Sequence, residues 1–115
     1  MAGIVFFKTQ QIDEIERFYT NLLDMKLWLR QEDCIILKHE NLLLGFCTRA
    51  QIDHSGLITF FYETKDEVDA MYDRLKDIAQ AVPETNEKYH IYRFFAHDPE
   101  HRILEFQHFL HPVDI

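Results

Sequence analysis

The two cysteines of this chain, Cys34 and Cys47, stand on either side of a turn signal at Glu40–Asn41. Asn tolerates positive φ, so we expect a two-residue turn there between two antiparallel strands. Opposed residues of such a hairpin number to a constant sum, which places Cys34 directly opposite Cys47. A facing thiol pair inside a cleft could respond to oxidants or soft metals. The alternative is that both pack as small apolar side chains, and the lack of a Cys-x-x-Cys motif favours packing.

A second set of chemically capable side chains lies on the apolar segment 102–109. Residues on one strand alternate between faces, so Glu105 and Gln107 share a face with Ile103 and Phe109. Glu105 could be a cavity carboxylate that binds a cationic or hydrogen-bonding ligand, or that acts as a base. Alternatively, it is a fold residue that pairs with a nearby Lys or Arg. A partner is expected in both cases, because a lone buried carboxylate is costly.

Four of the seven histidines lie near the C-terminal end of the sequence: His97, His101, His108 and His111. Imidazole nitrogens bind transition metals, so an exposed pair could form a metal site. However, no pair has the i, i+4 spacing on a predicted helix, and no Cys-His motif is present. We therefore interpret these histidines as surface or packing residues.

The charge and composition of the chain limit the classes of partner that it could bind. The formal net charge is −8 at pH 7, and Lys and Arg are scattered along the chain. This argues against a nucleic-acid partner, which needs a clustered basic face. No apolar run approaches the roughly 20 residues of a membrane helix, and no signal peptide is visible. We therefore expect a cytoplasmic protein with reduced thiols and no membrane partner.

A repeated segment organises the chain. Residues 13–25 and 66–78 align in register, with Asp, Glu, Tyr, Leu and Asp recurring and several apolar residues exchanged for similar ones. Two copies in 115 residues indicate a duplicated supersecondary unit rather than a solenoid. The length fits a single domain over residues 1–115. We expect one module over about residues 1–50 and a second over about residues 55–111.

Each module is predicted to run strand, helix and then three strands. A change from β-type residues to apolar residues at helical spacing marks the helix in each half. In the first module the expected elements are a strand at 3–9, a helix at 10–24 and strands at 25–30, 33–39 and 42–48. In the second module they are a strand at 57–63, a helix at 65–79 and strands near 81–82 and at 89–97 and 102–109. Thr64 and Glu67 form a capping-box pattern at the start of the second helix.

The order of elements and the closing segment 94–106 resemble the vicinal oxygen chelate superfamily, which includes glyoxalases, bleomycin-resistance proteins, extradiol dioxygenases and fosfomycin-resistance enzymes. The Asp98–Pro99 turn that leads to Leu104–Glu105–Phe106 is the most specific part, followed by Phe18–Tyr19 with Leu22–Leu23 behind it. The resemblance covers nearly the whole chain. It implies an α+β fold in which two βαβββ modules form a curved, mostly antiparallel eight-stranded sheet around a cleft. It does not specify the chemistry, because this fold hosts many activities.

Metal-dependent members of that superfamily use four ligands, and this chain lacks most of them. The resemblance places the first ligand on or near Ile4, the second within Leu42–Cys47 and the third within Leu57–Phe60. None of these segments contains a carboxylate or an imidazole. Only Glu105 stands where a ligand is implied. One such ligand cannot hold a divalent ion, so we expect no metal and no cofactor.

The resemblance and these residues together favour a metal-free protein, similar to the bleomycin-resistance branch, that binds a small aromatic or cationic molecule in the cleft. A metal-dependent lyase, dioxygenase or thiol transferase of the same superfamily is the alternative, and an interaction protein without small-molecule chemistry also stays open. No catalytic residue is assigned, and the resemblance implies a homodimer. The candidate ligand-binding residues are Phe6, Lys8, Cys34, Cys47, Glu105 and Gln107.

Overall fold

The computed structural model describes residues 1–114, and the chain forms two compact units. The first unit contains Met1–Ser55 together with Asp98–His101, and the second contains Gly56–His97 and the chain from Arg102 onward. Each unit holds one β-strand, one helical segment and three further strands in chain order. The predicted α+β class with two βαβββ modules is therefore confirmed. The eight strands are divided between two four-stranded sheets.

The first unit is built around a mixed sheet. Its strand order is β1-β4-β3-β2, in which β1 is parallel to β4 and the other neighbours are antiparallel. The turn between β3 and β4 consists of Glu40 and Asn41, and Glu40 takes the positive φ of 51°. The elements are β1 (Val5–Thr9), helix α1 (Ile12–Arg17), β2 (Lys26–Arg30), β3 (Cys34–His39) and β4 (Leu42–Thr48).

The predicted helix over residues 10–24 is shorter and changes type. After α1 the chain continues as a π-helical turn over Phe18–Leu22. Phe18 and Tyr19 are both buried, and the ring of Tyr19 packs against Phe46 of β4 with centroids 5.0 Å apart. A π turn differs from an α turn by one residue in hydrogen-bond spacing, so the apolar periodicity alone does not distinguish them.

The second unit repeats this arrangement. Its strand order is β5-β8-β7-β6, in which β5 is parallel to β8. Thr64 caps helix α2, and its reciprocal hydrogen bonds with Glu67 confirm the predicted capping box. The elements are β5 (Ile58–Tyr62), helix α2 (Lys65–Leu75), β6 (Glu84–Asn86), β7 (Ile91–His97) and β8 (Ile103–Phe109). None of the helices that the structure describes has the length and apolar character needed to span a membrane.

The repeat in the sequence corresponds to equivalent elements in the two units. The helical segments cover residues 12–22 and 65–75, which are matching positions of the repeat, and β1 and β5 also match. The strand predicted near residues 81–82 lies instead at Glu84–Asn86. That short strand exists because it pairs with residues 91–93 of β7, and Val82 is exposed. The apolar pair at residues 81–82 is therefore not a strand, and the prediction was wrong by about three residues.

The connection between β7 and β8, residues 98–101, belongs to the first unit because its carboxylates are bonded there. The Tyr19 hydroxyl donates to Asp98 Oδ2 over 2.8 Å, and the Gln10 backbone N–H donates to Glu100 Oε2 over 2.9 Å. The Thr9 hydroxyl also donates to Glu100. Thr9, Asp98 and Glu100 are all buried. Buried carboxylates require such donors, so the Asp98–His101 turn is anchored by hydrogen bonds as well as by its own geometry.

Candidate functional site

One face of the second sheet carries a cavity of about 470 Å³. Alternation along β8 explains the division of faces. Phe106 stacks on Phe94, which contacts Tyr72 of α2, so these rings lie on the helix side. Glu105 and Gln107 lie on the other face and line the cavity. Its lining residues are Leu57, Tyr89, Ile91, Arg93, Phe95, Glu105, Gln107, Phe109 and His111.

Glu105 lies on the cavity wall and is held by two donors. Arg93 Nη1 donates to Glu105 Oε2 over 3.2 Å, and Thr59 Oγ1 donates to Oε1 over 2.9 Å. The guanidinium carbon of Arg93 also lies 4.8 Å from the centre of the Phe95 ring, a cation–π contact. The prediction that Glu105 needs a partner is confirmed, and the partner is Arg93. The pair carries no net charge and is fixed in place by its neighbours.

Gln107 is the second polar residue of the cavity wall. The register places it directly opposite Arg93 on β7 and beside Phe61 on β5. Only 8% of Gln107 is exposed, yet its side-chain amide makes none of the hydrogen bonds found among residues 1–114. Its oxygen and nitrogen are not among the buried side-chain atoms without a partner, so they are open to the cavity. The wall of this cavity therefore offers a donor and an acceptor that are both available to a bound molecule.

Tyr92 has a clearly shifted titration, and it faces away from the cavity. Its hydroxyl donates to Asp69 Oδ1 of α2 over 2.6 Å. That hydrogen bond, together with burial and the negative charge of Asp69, raises the pKa of Tyr92 to about 12. The Lys65 ammonium lies 4.5 Å from the centre of the same ring. Tyr92 thus holds α2 against β7 and does not contribute to the cavity.

The other four predicted site residues lie together on one face of the first sheet. Lys8 pairs with Cys47, which pairs with Cys34, so these three form one cross-strand row. Phe6 pairs with Gly45 in the neighbouring row. A β-carbon on Gly45 would collide with the Phe6 ring, so the ring lies against the glycine backbone. The predicted shared face of these residues is correct.

The prediction of reduced thiols is wrong for this structure. Cys34 and Cys47 form a disulfide, and their α-carbons are 4.0 Å apart. Neither cysteine among the described residues is free. The physical reason is the hairpin register, which was predicted correctly and which brings the two sulfur atoms within bonding distance. The interpretation as two separate packed thiols does not account for that proximity.

No family model and no curated protein matches the chain, but many solved structures do. A glyoxalase/bleomycin resistance protein/dioxygenase from Nocardioides has a TM-score of 0.79 at 15% identity, covering 100% of this chain and 89% of that chain. A related family enzyme from Burkholderia phytofirmans PsJN has a TM-score of 0.80 at 18% identity, covering 91% of this chain and 95% of its own. This chain has the glyoxalase/bleomycin-resistance fold.

A third similar structure carries a more specific name. The lactoylglutathione lyase from Agrobacterium tumefaciens has a TM-score of 0.77 at 17% identity, covering 94% of this chain and 92% of that chain. The predicted resemblance to the vicinal oxygen chelate superfamily is thus confirmed as a likeness of fold. Identities of this size show the fold alone, and the same fold supports many activities. The chemistry must be argued from the side chains.

The side chains do not fit the metal centre that the glyoxalase/bleomycin-resistance fold implies. Among the described residues, no three His, Cys, Asp or Glu side chains lie together as a potential metal site. Glu105 is bonded to Arg93 and Thr59, and Gly45 lies beneath the Phe6 ring. A divalent ion needs several oxygen or nitrogen ligands around one point. No step of chemistry is therefore assigned to a metal here.

The six predicted site residues fall into two sets. Glu105 and Gln107 line the cavity of the second unit, whereas Phe6, Lys8, Cys34 and Cys47 share a face of the first sheet. That all six form one site stays a prediction.

Several cavity residues were missed from the sequence, although a signal for two of them was present. The antiparallel register across residues 98–101 places Arg93 opposite Gln107 and Phe95 opposite Glu105. The reasoning that paired Cys34 with Cys47 would have found both residues. Tyr89 and His111 lie outside the strands, so strand register could not have predicted them.

Proposed function

We propose that this protein binds a small aromatic molecule, without a metal, in the cavity of its second unit. The observation that carries the proposal is Gln107 on the cavity wall, whose side-chain amide forms no hydrogen bond within residues 1–114 and is open to the cavity. Its carbonyl oxygen and its N–H donors can therefore bond to a ligand in place of solvent. A ligand that bonds to both groups is held in a defined orientation at this wall.

The size and lining of the cavity support a small-molecule ligand. A volume of about 470 Å³ lies within the usual range of roughly 300–1,000 Å³ for ligand pockets. The walls are mostly apolar and aromatic, including Tyr89, Phe95 and Phe109, and a few polar groups converge between them. Apolar walls supply affinity, and a small number of polar groups fix the orientation of the ligand.

The ion pair between Arg93 and Glu105 bears on whether the ligand is aromatic or cationic. Glu105 is already neutralised by a guanidinium at 3.2 Å, so it does not present an unpaired negative charge to a cation. The ion pair does not weaken the case for an aromatic ligand, because stacking on Phe and Tyr rings does not require charge. We therefore favour an aromatic ligand over a cationic one.

Loss of the metal site is part of the same proposal. It is supported by Gly45, which has no ligating side chain and lies beneath Phe6, and by the engagement of Glu105 with Arg93. Elemental analysis of the purified protein is expected to find no stoichiometric zinc, nickel, manganese or iron. Near one metal ion per chain, lost in Glu105→Ala, would instead support the metal-dependent lyase or dioxygenase alternative.

The binding proposal is tested by a thermal-shift screen of small aromatic compounds against the full chain. A ligand at 100 times its dissociation constant adds about 2.7 kcal/mol to the free energy of unfolding. Compounds that bind in the cavity should lose about 1.5–3 kcal/mol of binding free energy in Glu105→Gln, where a charged hydrogen bond is lost. Gln51 is exposed and outside the cavity, so Gln51→Ala is the control. Equal affinity for all three proteins would place the site elsewhere.

A further inference from the structure

We infer that the ligand of this cavity is an uncharged planar aromatic amide, with a carbonyl oxygen and an N–H group side by side on one edge. The inference rests on the function proposed above and names the ligand class of the same site. Three features of the cavity carry it: its balanced charge, its mixture of donors and acceptors, and its aromatic walls.

Charge balance excludes an ionic ligand. The described residues that line the cavity include one arginine, Arg93, and one carboxylate, Glu105, and no lysine or aspartate. The charges of Arg93 and Glu105 neutralise each other. Their side chains are only 24% and 8% exposed. A ligand carboxylate on Arg93 would lie next to the Glu105 carboxylate, and a ligand cation on Glu105 would lie next to the Arg93 guanidinium. Either charge would be buried without its own counter-ion, which is costly.

The polar groups of the cavity can bind a ligand that has both a hydrogen-bond donor and an acceptor. Arg93 has five N–H donors, and one of them bonds to Glu105 within residues 1–114. Each oxygen of Glu105 accepts one hydrogen bond there and has a further lone pair. Gln107 supplies one carbonyl oxygen and one NH₂ group.

Strand geometry brings these groups within reach of one ligand edge. Gln107 lies directly opposite Arg93, and Glu105 lies two residues along the same strand. Groups so placed on one face of a sheet are about 7 Å apart or closer. An amide edge can accept from Arg93 or Gln107 while it donates to Glu105 or Gln107. A ligand with acceptors only would leave the remaining lone pairs of Glu105 without a donor from the ligand.

The aromatic walls of the cavity favour a ligand whose amide edge is attached to a planar ring system. Phe109 makes edge contacts with Phe61 and His111, with ring centroids 5.6 Å and 5.7 Å apart. Phe95 presents its ring to the Arg93 guanidinium, and Tyr89 is exposed at the rim. Aromatic side chains bind planar ligands by stacking and edge contacts. The cavity of about 470 Å³ has room for a fused two-ring body.

Three probes of the same shape test the ligand class: 2-naphthamide, 2-naphthoate and 2-naphthamidine. They differ only in charge and in the pattern of donors and acceptors. Dissociation constants for the full chain are measured by NMR titration, in which the Gln107 side-chain amide and the backbone amides of β7 and β8 report the site. The neutral amide should bind about tenfold or more tightly than either ion, because each ion leaves a buried charge unpaired.

Two substitutions at Gln107 sharpen the test. Gln107→Leu should weaken 2-naphthamide about tenfold through loss of a hydrogen bond, while Gln51→Leu, on the exposed surface, should leave it unchanged. Gln107→Glu is nearly isosteric and gives the cavity a net negative charge, so the preference should move to 2-naphthamidine. That reversal keeps the test valid if the leucine variant fails to fold.

The outcomes separate this inference from the proposed function. If 2-naphthoate or 2-naphthamidine binds the unaltered protein best, or if all three bind equally, the amide class is wrong and the aromatic-binding function stands. If none of the three shifts the cavity resonances, the proposed function is overturned together with the ligand class. If 2-naphthamide binds best and the preference does not move in Gln107→Glu, charge balance does not set the specificity and the inference fails.

Discussion

The ring of Phe6 occupies the space beside Gly45 where a β-carbon would otherwise stand. The two residues are partners on parallel strands β1 and β4, and Phe6 is 51% exposed. The aromatic ring therefore covers the glycine on one side and meets solvent on the other. This packing lies within the segment where the resemblance implied a carboxylate metal ligand, so the first sheet here presents an apolar surface.

Gly45→Ala is expected to lower the free energy of unfolding by about 1 kcal/mol or more, because the added methyl group must displace the Phe6 ring. In a Phe6→Ala background the same change should be neutral or stabilising, since alanine is favoured over glycine within a strand. Chemical denaturation of the four proteins of this cycle measures the coupling. Additive effects would show that the ring does not pack on Gly45.

The ion pair between Arg93 and Glu105 should show strong coupling as well. Arg93→Met leaves Glu105 without its cation, and we expect a loss of about 1–3 kcal/mol. The double variant Arg93→Met/Glu105→Gln should be less destabilised than the sum of the single changes. Arg49 and Asp33 form a pair with side chains 46% and 57% exposed, so Arg49→Met is the control and should cost less than about 1 kcal/mol. Similar losses at both arginines would contradict a special role for the cavity pair.

The disulfide between Cys34 and Cys47 should stabilise the first unit measurably. The cysteines are 13 residues apart, and closing a loop of this size restricts the unfolded chain by about 2–3 kcal/mol. Reduction should lower the unfolding midpoint, and the Cys34→Ser/Cys47→Ser variant should no longer respond to reductant. Peptide mapping without reductant checks the linkage. Two titratable thiols in the air-purified native protein would argue against it.

The hydrogen bond from Tyr92 to Asp69 makes a prediction about high pH. The pKa of Tyr92 is raised from 10.0 to about 12, so the unfolded chain loses this proton first as the pH rises. The stability from this interaction is complete below about pH 10 and declines toward pH 12. Ultraviolet titration of tyrosinate should show a late step from Tyr92 that is lost in Tyr92→Phe and that moves toward pH 10 in Asp69→Ala. A late step that persists unchanged in Asp69→Ala would refute this cause.

The expected homodimer can be tested at an exposed edge of the first sheet. Strand β2 is the edge strand, and Leu27, Trp28 and Leu29 on it are 41%, 52% and 43% exposed. Exposed apolar edge strands need covering, and a second copy would provide it. Sedimentation at tens of micromolar should give a dimer that Trp28→Glu weakens. A monomer under these conditions would count against the dimer, and a dimer unaffected by Trp28→Glu would place the interface elsewhere.

Much of the fold was determined locally and could be predicted. The in-register repeat of residues 13–25 and 66–78 identified two equivalent helical segments, and their elements match in the structure. The Thr64–Glu67 capping box and the Glu40–Asn41 turn depend on interactions between near neighbours in the chain. Alternation correctly placed Glu105 and Gln107 on one face of β8. These features depend on short-range sterics and period-two alternation, which the sequence displays directly.

Only the tertiary structure decided the rest. Strand β6 exists through its pairing with β7, and the π turn after α1 accompanies the packing of Tyr19 against Phe46. The partner of Glu105 was unknown until β7 placed Arg93 within 3.2 Å of it. The bond between the cysteines likewise depended on a distance that the strands impose. Each outcome is set by free energies of contact between residues far apart in the chain, and those contacts exist only after the strands have paired.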